Sequence, residues 1–126
     1  MKAMPVKLIN GQWVEVTKDE GTHVHLIFPL NIVITLNIEP PFSYNILRDR
    51  YIPYQLNGSR EHTGNWSWNG DTEKPTLRPS ILTTSKQGDI NHICHSFVND
   101  GIIEFLSDCT HEFVNTKREL LEVKND

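Results

Sequence analysis

The sequence predicts a mainly β protein, on three observations. Its apolar residues fall in short runs rich in Val, Ile and aromatic side chains. Gly, Pro and Asn bound those runs, as expected where the chain must turn. In the last third, Asp100-Gly101 stands between two such runs, the strongest short-range hairpin signal. A single domain over residues 1–126 is expected, since 126 residues with 37% hydrophobic content suffice for one compact core.

Taken in order, Gln12 to Val16, His23 to Phe28 and Asn31 to Ile38 read as strands, the third ended by Glu39-Pro40-Pro41. From Ser43 to Tyr54, β-branched residues, aromatic rings and Pro53 argue against a long helix. Gln55 to Gly64 is polar and reads as a loop. Asn65 to Asn69 is a short aromatic strand, closed by the turn signal Asn69-Gly70-Asp71. Arg78 to Thr84 follows the Pro75 to Pro79 segment as a strand, and Asn91 to Asn99 pairs with Ile102 to Ser107 as an antiparallel hairpin spanning 91–107. Lys117 to Lys124 suits a short helix or a strand equally, and no internal repeat is present.

Composition excludes several functions. The net charge is −4 and the lysines and arginines are scattered, so the clustered positive charge a nucleic-acid partner needs is missing. The longest apolar run, Val24 to Ile38, is interrupted by Pro29, Asn31 and Asn37, so no membrane span is expected. Met1 to Pro5 lacks the apolar stretch of a secretory signal. A cytoplasmic location is therefore expected, where the two cysteines are thiols or metal ligands rather than a disulfide.

The hairpin sorts its polar residues. With Asp100-Gly101 as a two-residue turn, Asn99 faces Ile102, His95 faces Leu106, Ile93 faces Asp108 and His92 faces Cys109. One face then carries His92, Cys94, Cys109 and His111, two imidazoles and two thiols that suit tetrahedral zinc. A plainer reading makes Cys94 and Cys109 small buried hydrophobes. The other face carries His95 and Asp108, with Ile93, Phe97 and Leu106 around them. A serine hydroxyl becomes a nucleophile when an imidazole takes its proton and a carboxylate orients that imidazole. Ser96 adjoins His95 but points to the opposite face, so Ser80, on the neighbouring strand, is the better candidate. The plainer reading makes Ser80 an ordinary strand-start hydroxyl. His23 and His25 alternate on an early strand, as additional ligands or as a half-exposed face, and Trp13, Trp66 and Trp68 are expected in the core or as platforms.

Trp66-Ser-Trp-Asn-Gly-Asp, Pro75-Thr-Leu-Arg-Pro-Ser-Ile-Leu82, Cys94-His-Ser-Phe-Val-Asn-Asp-Gly101 and Phe105-Leu-Ser-Asp-Cys-Thr-His111 resemble a family of small bacterial and phage proteins. Many of its members carry the name "ammonia monooxygenase", although nothing in this chain resembles a membrane copper oxidase. Diverged members belong to bacterial ubiquitin-like conjugation (Bub-type) operons. The resemblance implies a serine protease that cuts after the C-terminus of a ubiquitin-like protein, and it carries over Ser80 and His95 as the reacting pair. Asp108 is not carried over by it, which leaves a Ser–His dyad open. Those diverged members have cysteine-rich metal knuckles upstream, and this chain has no cysteine before Cys94.

Together these readings predict a serine-type peptidase using Ser80, His95 and Asp108, deubiquitinase-like, acting on a ubiquitin-like or other small protein and requiring no cofactor for the serine mechanism. The alternative is a non-enzymatic zinc-stabilised binding module holding zinc through His92, Cys94, Cys109 and His111, such as a phage-encoded adaptor or inhibitor. A zinc hydrolase using the same ligands is a third. Phage and antiphage-defence settings both fit. The sequence does not reveal where an oxyanion hole lies.

Overall fold

Two Xaa-Gly pairs turn the chain with positive φ at both residues: Asn10 and Gly11 at 50° and 78°, Asp100 and Gly101 at 49° and 77°. That is the type I′ geometry whose twist matches paired strands, and each pair closes a hairpin. In the computed structural model, which describes residues 1–30, 32–36, 42–46, 48–56, 64–87 and 89–123, every regular element is a strand. These are β1 (Met4–Ile9), β2 (Gln12–Glu15), β3 (His23–Ile27), β4 (Ile32–Leu36), β5 (Phe42–Ile46), β6 (Asp49–Leu56), β7 (Trp66–Trp68), β8 (Leu77–Gln87), β9 (Ile90–Asn99), β10 (Ile102–Phe105) and β11 (Lys117–Glu119). The mainly β expectation holds. No helix among the described residues is long and apolar enough to cross a membrane.

Nine strands form one sheet in the order β11-β10-β9-β8-β7-β6-β3-β1-β2, and β4 pairs with β5 separately. All pairings are antiparallel except β6 with β7. The sheet curls on itself: Leu121 bridges to Ile27 of β3, and the Val123 N–H donates to the Met1 carbonyl at 2.7 Å.

Strand β1 is not among the expected strands, and the ambiguous stretch from Ser43 resolves into most of β5 and most of β6. Residues 55 and 56, expected in a loop, extend β6, while 57–63 lie outside the described residues. Lys117–Glu119 is a strand, and Lys124 lies outside the described residues.

Period-two burial defines an inner face. Val24 and Leu26 of β3, Ile52 and Tyr54 of β6, Trp68 of β7, Leu77 and Ile81 of β8, Cys94 and Val98 of β9, and Ile103 and Phe105 of β10 form one core cluster. Trp68 is 0% exposed, meets Tyr54 edge-to-face with centroids 4.9 Å apart, and its indole N–H donates to the Asp71 carbonyl at 3.3 Å. Trp68→Ala removes the largest ring in the core and is expected to cost about 3–5 kcal/mol. Equilibrium urea unfolding checks this, and a loss below about 1 kcal/mol would contradict the burial of that ring, because the transfer cost alone exceeds it.

Of the other tryptophans, Trp66 packs against the core, whereas Trp13 is exposed and stacks on Tyr51 at 4.5 Å.

Candidate active site

Proline cannot donate a ladder hydrogen bond, so strands admit it at bulges. Pro79 sits at one. Leu77 pairs with Val98 but the next β8–β9 pair is Ile81 with Ser96, so β8 spends two more residues than β9 over that interval. An even-numbered insertion preserves the sidedness of the strand. Ile81 therefore stays buried with Ser96, while Ser80 emerges on the outer face, diagonal to His95, which pairs with Leu82. The Trp66 indole N–H donates to the Ser80 carbonyl at 3.2 Å and fixes that backbone from the other side.

The hairpin register runs as expected from Asn99–Ile102 to Ser96–Phe105, and the Leu106 N–H still donates to the His95 carbonyl at 2.9 Å. It then departs from expectation. Leu106 to Cys109 close a turn, with the Cys109 N–H donating to the Leu106 carbonyl at 3.2 Å, and Thr110 rather than Asp108 faces Ile93. Two extra residues in the turn again preserve sidedness. Asp108 thus reaches His95 from a turn rather than as a diagonal strand neighbour, and Cys109 no longer faces His92.

Ser80, His95 and Asp108 are brought together on the outer face. His95 Nε2 lies 2.9 Å from Ser80 Oγ, and His95 Nδ1 lies 2.9 Å from Asp108 Oδ2 and 3.2 Å from Oδ1. An ionised carboxylate only accepts, so Nδ1 carries the proton and donates to Asp108. Nε2 is then left to accept from the Ser80 hydroxyl. Ser96, by contrast, is fully buried on the inner face. An open groove of about 610 Å³ runs beside the base, lined by His95, Glu104, Leu106, Ser107, Asp108 and Asn115 among others.

On the inner face, Cys94, Cys109 and His111 are buried with their ligand atoms within 4.8 Å of one another, a cluster able to hold a metal ion. His92 does not join it. The missing register match with Cys109 explains why the expected four-ligand set becomes three. Burial pushes the Cys94 thiol up to about 12, with Cys109 adding to the effect, and burial lowers the His111 pKa. His23 and His25 lie elsewhere: His25 Nε2 is 2.8 Å from Asp49 Oδ1 and its ring stacks on Tyr51, while His23 Nδ1 is 2.9 Å from Thr22 Oγ1. Neither adds to the two clusters.

Arg78 is a further neighbour of the site, one that no sequence pattern marks. Its guanidinium donates to the Leu77 and Val98 carbonyls at 2.8 and 3.3 Å and to Asn99 Oδ1, tying the bulge of β8 to β9. Its position two residues before Ser80 was visible, but its targets depend on the bulge.

No curated protein and no solved structure matches the chain. Residues 48–106, which include Ser80 and His95 and end before Asp108, match the model of the family described as bacterial ubiquitination-like system serine protease (BubE), the family that the motifs from Trp66 to His111 resemble.

Proposed function

We propose that the chain is a serine peptidase that cleaves after the C-terminus of a ubiquitin-like or other small protein. One observation carries this reading: a hydroxyl, an imidazole and a carboxylate stand in hydrogen-bonded series on a solvent-facing sheet surface, at 2.9 Å and 2.9 Å. Ser80 Oγ attacks the scissile carbonyl as its proton passes to His95 Nε2. Asp108 stabilises the imidazolium through Nδ1–H, and His95 then returns the proton to the leaving nitrogen. Water repeats the cycle in reverse to free the acyl group from Ser80. Leu82, 56% exposed and two residues beyond Ser80 on the same face, offers an apolar contact to an extended tail. The family description supports the substrate class. A fluorophosphonate probe tests the reaction: it labels wild-type protein and leaves Ser80→Ala unlabelled, and equal labelling of both would end the reading.

A second reading, a non-enzymatic zinc-stabilised binding module, is favoured by the Cys94–Cys109–His111 cluster. It expects bound zinc together with no Ser80-dependent labelling.

A further inference from the structure

Among the described residues, five buried side-chain polar atoms have no hydrogen-bond partner: Arg50 Nε, Thr83 Oγ1, His92 Nε2, Ser96 Oγ and His111 Nε2. Folded proteins satisfy nearly all such atoms, and an orphan calls for a specific cause such as an ion. These five share one neighbourhood. Thr83 pairs with Cys94 across β8 and β9, His92 and Ser96 flank Cys94 at period two on the same strand face, and Arg50 is electrostatically coupled to the Cys94 thiol. His111 is itself within the cluster, and its other nitrogen meets the Phe113 N–H only at 3.3 Å. Neither nitrogen of that buried imidazole is strongly engaged.

We propose that Cys94, Cys109 and His111 bind a zinc ion on the inner face of β9, and that this ion holds the catalytic base in place through Cys109. Two thiolates and an imidazole are the protein's share of a tetrahedral zinc shell. On binding, the two S–H bonds break, two Zn–S bonds form, and two protons pass to solvent. The two thiolates cancel the charge of the ion, so the site carries no net charge into the inner face.

The link to the outer face runs through one sulfur. Cys109 Sγ accepts from the His95 backbone N–H at 3.2 Å and lies 3.2 Å from the His95 carbonyl oxygen, which the Leu106 N–H also reaches, so the sulfur takes the place of a strand partner for that backbone N–H. Asp108, the next residue along, hangs from the same turn. A metal-bound Cys109 thiolate gives up the S–H to carbonyl contact, keeps the N–H to sulfur bond, and pins base and orienter relative to each other. Outer-shell contacts of this kind set the orientation of the groups they touch.

This inference rests on the serine-peptidase reading only for its second half, and the test separates the two. Full-length protein purified from zinc-supplemented cells is expected to hold about one zinc per chain by elemental analysis, falling to near zero in Cys94→Ser, Cys109→Ser and His111→Ala. Cobalt exchange is expected to give the thiolate-to-cobalt charge-transfer absorption, which the cysteine variants lose. Chelation is expected to slow fluorophosphonate labelling of Ser80 by about 10²-fold, the scale of an ångström-sized misplacement, and zinc restores it. Two titratable thiols with no metal overturn the site, and labelling indifferent to zinc in loaded protein overturns the coupling. Zinc-loaded protein that never labels sinks the peptidase reading while leaving the metal site standing.

Discussion

Ser80→Ala and His95→Ala are each expected to lower turnover of a ubiquitin-like fusion by about 10⁴-fold or more, and the double variant to be little worse than either. The reason is that the two groups form one device. Without the hydroxyl there is no atom to acylate, and without Nε2 the hydroxyl keeps its proton at the moment of attack. What survives comes from binding and any oxyanion donors, which neither substitution touches. Folding is not at stake, because both side chains lie on the outer face, and β8 and β9 pair through backbone groups around them. Matched urea midpoints for wild type and variants confirm that, and single-turnover kinetics then reads the chemistry. Additive losses in the double variant would show that the 2.9 Å contact between them is not used in the rate-limiting step.

Local chemistry made the outer-face site legible. Asp100-Gly101 fixes a two-residue turn, and from that single register His95 and Ser96 divide between opposite faces, which is where the choice of Ser80 over Ser96 came from. The same signal stands at Asn10-Gly11 but is masked there, because Met4–Ile9 carries Pro5 and Lys7 among its apolar residues and lacks a clean alternation. Other features depend on contacts between distant segments. The turn at Leu106–Cys109 inserts two residues that no dipeptide announces, and the bulge at Pro79 becomes visible only against the length of β9. Both insertions are even-numbered, so the assignment of faces survived errors in the assignment of neighbours. That is why Cys94, Cys109 and His111 meet while His92, whose partner was inferred from register, stays out. The parallel pairing of β6 with β7 joins segments across residues 57–65 and has no local signature at all.

Asp108→Asn and Asp108→Ala divide a triad from a dyad. Both carboxylate oxygens approach His95 Nδ1, at 2.9 and 3.2 Å, yet the Asp108 side chain is 52% exposed against 25% for His95. Water therefore screens the attraction between Asp108 and the imidazolium that forms during attack, and the loss on removing it is smaller than for a buried acid. Asn keeps the shape but offers an N–H₂ that favours the opposite tautomer, with Nε2 protonated and unable to accept from Ser80. Loss of kcat by about 10²–10⁴-fold is expected for Asn, and a lesser one for Ala, where water takes up the Nδ1–H. KM should stay within about 3-fold, since Asp108 faces the imidazole edge turned away from the reacting serine. Fluorophosphonate labelling rates should fall in the same order, because they report the nucleophilicity of Ser80 without any contribution from tail binding. Should Ala and Asn both retain turnover within about 5-fold of wild type, the carboxylate orients nothing that matters, and catalysis rests on Ser80 and His95 alone.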